Sequence, residues 1–277
     1  MKSRFWLNVF LLLLVAALAF AVYSRRHAPA EPTYRLSALN AAQASSIQIE
    51  KPNTPAVHLE KRNNAWFVTA PFTARADSFR INRVLEVLAA SSTQRFPATD
   101  LAAFDLDKPF VKLTINGQQI SFGTLNPLTQ QQYAFTANTV YLISAKYMAN
   151  AAAQTADFAD KRLFAENEIP TRFEFEGRVL ALNNGKWETT PPRNDLSPDT
   201  LNAWRDEWRN ASALLAQPYV DGKILGQILI TLNNGKQLAL GILQKEPDVV
   251  LLREDEHLQY HLPQEMGKQL LAPLKSN

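Results

Sequence analysis

The chain has 277 residues, of which 46% are hydrophobic, and its 29 basic and 26 acidic residues give a net charge of +3. This small, unclustered excess argues against nucleic acid as a partner, because binding a phosphate backbone needs grouped cations. Cysteine is absent, which excludes disulfides, thiolate nucleophiles and cysteine-ligated zinc. The length suits a membrane segment followed by two units of ordinary size.

The first element along the chain is an uncharged, mostly apolar run from Phe5 to Tyr23. About 20 helical residues cross a hydrocarbon core of about 30 Å, so the run predicts a single transmembrane span within an N-terminal anchor at residues 1–26. The flanking charges weakly favour a cytoplasmic N-terminus, which would place the bulk of the chain outside the cytoplasm. A cleaved signal peptide is the alternative, because Ala28-Pro29-Ala30 resembles a cleavage site. A polar, proline-containing linker follows at residues 27–33.

Two related units follow the linker, at residues 34–165 and 166–277, and together they predict a tandem repeat. Landmarks in the two units recur at nearly equal offsets, which is typical of a duplicated unit. The landmark pairs are Trp66 with Trp187, separated by 121 positions, and Gly117 with Gly235, separated by 118.

Each unit is predicted to contain three strands, a helix, four further antiparallel strands and a terminal helix. Alternating apolar and polar residues predict the strands, and Asn-Gly at 116–117 and 234–235 predicts hairpin turns. Asp77 or Ser78 is expected to cap the helix of the first unit, and Ser197 that of the second. The connections are too short for parallel crossovers, so the predicted fold class is α+β with mainly antiparallel sheets.

Three motifs resemble those of an uncharacterised bacterial, membrane-anchored family whose domain has no known function: Trp66 with Pro71, Ala76-Asp77, and Phe104 to Pro109. The family pattern is similar to W-x4-P, then A-D, then Y-G-L-D-x-P, and the likeness covers about residues 60–165. Asp105 stands where that pattern has glycine. The resemblance implies an envelope-facing protein, in some cases associated with gliding-motility-type ABC transporter components, and it carries no catalytic residues.

Neither a catalytic motif nor a cofactor or metal site is predicted. His257 and His261 lie four apart on a predicted strand, which separates them by roughly 13 Å and disfavours a shared zinc ion. Acidic residues occur in pairs that are expected to be solvated or to cap turns. The pairs are Asp105/Asp107, Asp157/Asp160, Glu166/Glu168 and Asp206/Glu207, and Glu254-Asp255-Glu256 is expected to form a solubilising turn.

The predicted helix of the second unit carries a stripe of large side chains on one face, for which core packing is the favoured interpretation. If the stripe were exposed, Trp204 and Trp208 would be possible partner-binding residues, because exposed apolar patches mark interaction sites. The stripe consists of Leu201, Trp204, Trp208, Ala211 and Leu215.

These features predict a non-enzymatic, membrane-anchored periplasmic binding or scaffold protein with a protein partner in a cell-envelope assembly. The resemblance adds the expectation of an ABC-transporter accessory. A small-molecule or glycan-binding module, with its ligand in a cleft between the repeats, is the second hypothesis. A carboxylate-based hydrolase is the third, and it requires two acids that converge in one pocket.

Overall fold

A computed structural model describes residues 2–26, 32–193 and 195–272 of the chain. Three antiparallel sheets, accompanied by helices, make the described part an α+β protein, as the sequence predicts. Residues 27–31, with most of the predicted linker and the alternative cleavage site at Ala28-Pro29-Ala30, lie outside the described residues.

Helix α1 (Lys2–Arg26) occupies the predicted anchor. Its described apolar side chains are largely exposed, among them Phe10 at 63% and Leu12 at 72%. The side chains of Phe5 and Tyr23, which bound the predicted span, lie outside the described part of the helix. Within the described residues, no helix combines the length and the apolarity that crossing a membrane requires.

The first unit forms a small and a large sheet. The small sheet pairs β1 (Tyr34–Arg35) with β6 (Ser91–Ser92). The strands of the large sheet are β2 (Ser46–Glu50), β3 (Val57–Arg62), β4 (Ala65–Ala70), β5 (Ala74–Arg75), β7 (Arg95–Pro97), β8 (Val111–Ile115), β9 (Gln118–Leu125), β10 (Gln131–Thr136) and β11 (Thr139–Ser144). Across the sheet their order is β5-β4-β3-β2-β8-β9-β10-β11-β7.

The second unit forms one sheet. Its strands are β12 (Pro170–Phe175), β13 (Arg178–Asn183), β14 (Lys186–Thr190), β15 (Leu215–Pro218), β16 (Gly226–Leu232), β17 (Gln237–Gln244), β18 (Val249–Arg253) and β19 (Leu258–Leu262). Their order is β14-β13-β12-β16-β17-β18-β19-β15. If β5 is left out, both large sheets have eight strands. The order of the strands across the sheet, relative to their order along the chain, is then the same in both sheets.

In the described part of the chain, four α-helices accompany the sheets, and in each unit the longer one connects opposite sheet edges. Helix α2 leads from β5 towards β7, and α4 leads from β14 to β15. Buried apolar residues from the sheets and these helices form one continuous core across both units. The helices are α2 (Ser78–Leu85), α3 (Lys146–Ala151), α4 (Pro198–Asn210) and α5 (Gln264–Leu271).

Local chemistry explains where the longer helices begin. The Asp77 side chain accepts hydrogen bonds from two backbone N–H groups of the first turn of α2, and Ser197 accepts one from Thr200 in α4. Both caps were predicted. Helix α4 ends at Asn210, however, so the predicted helical stripe is too long at its C-terminal end, and Leu215 instead lies on β15.

The turn that carries the third family-like motif depends on two backbone positions. Asp105 adopts a left-handed conformation with φ 53°, which explains why the family pattern has glycine there. The carbonyl oxygen of Phe104 lies so close to Gly123 on β9 that a Cβ at Gly123 would approach it to 2.0 Å. In the equivalent position of the second unit, a Cβ at Gly241 would come no closer than 3.4 Å, to Ile224.

We therefore expect Gly123→Ala to lower the free energy of unfolding by about 1–3 kcal/mol, because a backbone oxygen cannot move away as a side chain can. Gly241→Ala is the matched control and should change it by less than about 1 kcal/mol. Urea titration of the two variants would measure both effects. Equal losses would contradict this account of the turn.

Candidate functional site

The two units are joined by residues 158–164, which hydrogen-bond to both. The N–H of Asp160 donates to the Arg75 carbonyl at 2.8 Å, beside the edge of the first sheet. The N–H of Leu163 donates to the Ala211 carbonyl at 3.1 Å, in the second unit. The joining segment is thus part of the folded body, because its backbone groups are paired on both sides.

Arg75 lies at the centre of a polar network between the units. Its Nε donates to Glu256 Oε1 at 2.6 Å, its Nη1 to Asp160 Oδ2 at 3.2 Å and its Nη2 to the Arg162 carbonyl at 2.7 Å. The Tyr260 hydroxyl donates to the other Glu256 oxygen at 2.5 Å. Burial opposes the charge of Arg75, but its anionic neighbours, Glu256 first among them, outweigh burial and raise its pKa. Arg75 therefore remains a cation held between the two units.

Arg253, at the end of β18, forms the second centre of the network and is only 1% exposed. Its Nη1 and Nη2 donate to the two oxygens of Glu168 at 2.8 and 2.7 Å, which is a bidentate pair. Its Nε donates to Asp255 at 2.9 Å, and Nη1 also donates to the Leu163 carbonyl at 2.6 Å. Burial works against the charge, whereas Glu168 and Asp255 raise the pKa of Arg253. The Arg253 guanidinium therefore links the joining segment to the sheet of the second unit.

Four acidic residues of the network have a different environment from the one that the sequence predicted. Asp160, Glu168, Asp255 and Glu256 were expected to be solvated or to cap turns, but each forms an ion pair with Arg75 or Arg253. The reason is charge balance, because a buried guanidinium must be paired to be stable. The sequence did not reveal the pairs, since Glu168 and Arg253 lie 85 positions apart.

The network predicts a loss of stability in acid. Burial would raise the pKa of Glu168 and of Asp255, but hydrogen bonds from Arg253 outweigh it, so both values lie below the ordinary range. Their stabilisation is complete above the unfolded-state pKa of about 4 and is lost as the pH falls through the lower folded-state values. We expect the melting temperature to be constant from neutral pH to about pH 5 and to fall below pH 4.

Thermal unfolding of the native chain and of Glu168→Gln across this pH range tests the expectation. The variant should melt at a lower temperature at pH 7 and depend less steeply on pH below 4, because one of the two groups is gone. Parallel curves for the two proteins would contradict the assignment to Glu168.

The two histidines that were considered as metal ligands do not share a strand. His257 lies in the turn before β19 with φ 52°, and His261 lies on β19. The Nε2 of His261 contacts Gln217 and Gln259 at 3.3 and 3.2 Å. The described part of the chain contains no group of three or more His, Asp or Glu residues that could hold a metal ion.

A cleft of about 670 Å³ opens beside the network, at the junction of the two units. Trp66 and Phe67 of β4 give it an apolar wall, and Arg162 of the joining segment and Glu166 just after that segment give it charged groups. Asp160 also lines this cleft, so two acids do share one concavity. Both oxygens of Asp160 accept hydrogen bonds from arginines, however, which favours a structural role for this carboxylate over proton transfer.

Trp204 and Trp208 are core residues, which corrects the possible partner-binding assignment. Their side chains are 3% and 0% exposed, and both indole N–H groups donate to the Leu270 carbonyl of α5, at 2.9 and 3.2 Å. The Phe173 ring lies 4.7 Å from that of Trp204 and 5.2 Å from that of Trp208. The exposed stripe that a partner would need is therefore missing, because α4 turns it towards the second sheet and α5.

The described part of the chain thus contains two large antiparallel sheets that share one strand order when β5 is left out, joined by a hydrogen-bonded segment and by ion pairs. Residues 66–203 match the family model described as a domain of unknown function, DUF4340. The match begins on β4, ends in α4 and crosses the junction. It is consistent with the uncharacterised family that the motifs indicate. Comparison with curated proteins and comparison with solved structures gave no match.

Proposed function

We propose that this chain is a non-enzymatic, membrane-anchored binding and scaffold protein of the bacterial cell envelope, with its two units on the periplasmic side of the inner membrane. In this proposal the units are tandem repeats, and the assembly they serve is a membrane complex such as an ABC transporter. Helix α1 is the anchor.

The observation that carries the proposal is the exposed apolar surface of α1. Large side chains at Phe10, Leu12 and Phe20 are 63%, 72% and 71% exposed, and exposed apolar surface of this extent marks contact with a membrane or a partner. The chain's net charge of +3, which is not clustered, gives no sign of nucleic acid binding.

The junction supports a scaffold more than an enzyme. Its charged groups are paired with one another: Arg75 with Glu256 and Asp160, and Arg253 with Glu168. Groups that are fully paired hold two units in a fixed arrangement, whereas a catalytic acid or base must exchange a proton with a substrate. A fixed arrangement of two sheets suits a protein that presents surfaces to a partner.

Membrane fractionation with carbonate washing tests the anchor. We expect the native chain to stay with the membranes and the double variant Leu12→Arg/Val15→Arg to be released, because charged side chains at the centre of a span cost about 2.5–3.5 kcal/mol each on insertion. Leu214→Arg, which changes an exposed residue of the second unit, is the control and should stay with the membranes. Release of the native chain would overturn the proposal.

The scaffold role is tested by crosslinking in intact native cells and purification in detergent. We expect subunits of one membrane complex, including an ATP-binding-cassette component, to be recovered with the native chain. They should be lost with the Leu12→Arg/Val15→Arg variant, because this variant no longer reaches the membrane. A native chain that is recovered alone would contradict the scaffold role and favour a ligand-binding one.

A glycan or other polar small molecule in the junction cleft is the second candidate function, which the cleft volume of about 670 Å³ and its wall of Trp66 and Phe67 favour. Calorimetric titration with soluble peptidoglycan fragments tests it. Binding that is weakened at least tenfold by Arg162→Ala would support this candidate, and absence of heat at millimolar ligand would exclude these fragments.

A further inference from the structure

The two Trp-bearing strands differ at their outer edges. In the first unit, β5 covers β4: Phe67 pairs with Arg75, and the Ala76 N–H donates to the Trp66 carbonyl at 2.9 Å. In the second unit, β14 is the last strand of its sheet, and no strand among residues 2–26, 32–193 and 195–272 pairs with its outer side. An uncovered edge is a template for another strand, and proteins that leave one open use it or block it.

The hairpin geometry shows which backbone groups face outwards from β14. Strands β13 and β14 are joined by Asn184 and Gly185, both with positive φ, and Asn183 pairs with Lys186. In a two-residue hairpin the residues that flank the turn bond to each other, so the next residue, Trp187, directs its N–H and C=O outwards. The equivalent carbonyl of the first unit, on Trp66, also faces outwards, where it accepts its hydrogen bond from β5.

The side chains of β14 make this edge complementary to itself. Lys186 and Glu188 are exposed on one face of the strand, and Trp187 between them is buried on the other. We propose that β14 pairs antiparallel with β14 of a second copy of this chain, in the register that places the two Trp187 residues opposite each other. Lys186 of each copy then lies opposite Glu188 of the other, which gives two cross-strand ion pairs on the exposed face.

The charges select this register among its neighbours. A pairing centred on Glu188 would place the two Glu188 side chains opposite each other, and one centred on Lys186 would do the same with two lysines, both of which are unfavourable. Two paired strands of five residues bury less surface than a stable interface of about 1,000 Å². We therefore expect a weak dimer that dissociates when the protein is diluted. Dimerisation through β14 does not depend on the membrane role proposed above.

Charge reversal of the full chain, purified in detergent, tests the pairing by sedimentation equilibrium. Lys186→Glu alone and Glu188→Lys alone each place like charges opposite one another and should weaken dimerisation at least tenfold, and the double variant Lys186→Glu/Glu188→Lys should restore it. Circular dichroism should show that all three keep the native fold. A native chain that is monomeric at about 100 µM, or a dimer that single reversals leave unchanged, would overturn the proposal.

Directed disulfide formation gives an independent readout, because the chain has no cysteine of its own. Residues 186 and 188 of opposite copies form a non-hydrogen-bonded pair in the proposed register, with Cα atoms about 4.5 Å apart, which a disulfide can bridge. We expect a mixture of Lys186→Cys and Glu188→Cys chains to form a crosslinked heterodimer on mild oxidation. A mixture of Glu188→Cys with Arg172→Cys, an exposed position on the central strand β12, should not. Equal crosslinking in both mixtures would overturn the register.

Discussion

Replacement of Arg253 by alanine is expected to lower the free energy of unfolding by about 3–5 kcal/mol. The guanidinium is buried and satisfies Glu168, Asp255 and the Leu163 carbonyl together. Its removal leaves two carboxylates without their main partner inside the junction, and an unpaired buried charge costs far more than an exposed one. Guanidinium chloride titration at neutral pH measures the loss.

The matched control is Arg172→Ala, which also removes an arginine from an ion pair with a carboxylate two positions away. The Arg172–Glu174 pair is exposed on both sides, so its loss should cost less than about 1 kcal/mol. If Arg253→Ala were as mild as Arg172→Ala, the junction network would not stabilise the protein.

Truncation of Trp208 to alanine is expected to cost about 3–5 kcal/mol, because it empties a large volume in the core of the second unit. The ring is fully buried between Phe164, Phe173 and Trp204, and its N–H is bonded to α5. Thermal and chemical unfolding should both report the loss.

Leu214→Ala provides the comparison for Trp208→Ala, since Leu214 lies close by in the chain but is 65% exposed. This substitution should change the free energy of unfolding by no more than about 0.5 kcal/mol. A near-neutral Trp208→Ala would mean that the indole faces solvent, and the partner-binding interpretation of α4 would return.

Local features of the fold could be predicted from the sequence because their causes are local. The Asn63-Asn64 and Asn184-Gly185 turns, with positive φ at all four residues, follow from the tolerance of Asn and Gly for that conformation. The caps at Asp77 and Ser197 and the hairpins on either side of Gly117 and Gly235 are of the same kind. In each case a few neighbouring residues determine the outcome.

The short edge strands and the junction were missed because nothing within a few residues specifies them. Strands β5 and β7 have two and three residues, which are too few to show a recognisable alternation of apolar and polar residues. Each forms because it pairs with the edge of a longer neighbouring strand. Arg253 ends a run of apolar residues, and its burial is understandable only with Glu168 and Leu163 beside it. Contacts between residues that are distant in the sequence determine both the short edge strands and the junction.

We expect the joining segment to resist proteolytic cleavage between the two units. Lys161 and Arg162 offer two sites for trypsin between the units, but the neighbouring N–H groups of Asp160 and Leu163 are hydrogen-bonded to opposite units. Phe158, Ala159 and Phe164 are buried on either side. A protease binds its substrate in an extended and accessible form, so cleavage here must wait until this segment unfolds. The rate of that cut reports how often this segment unfolds.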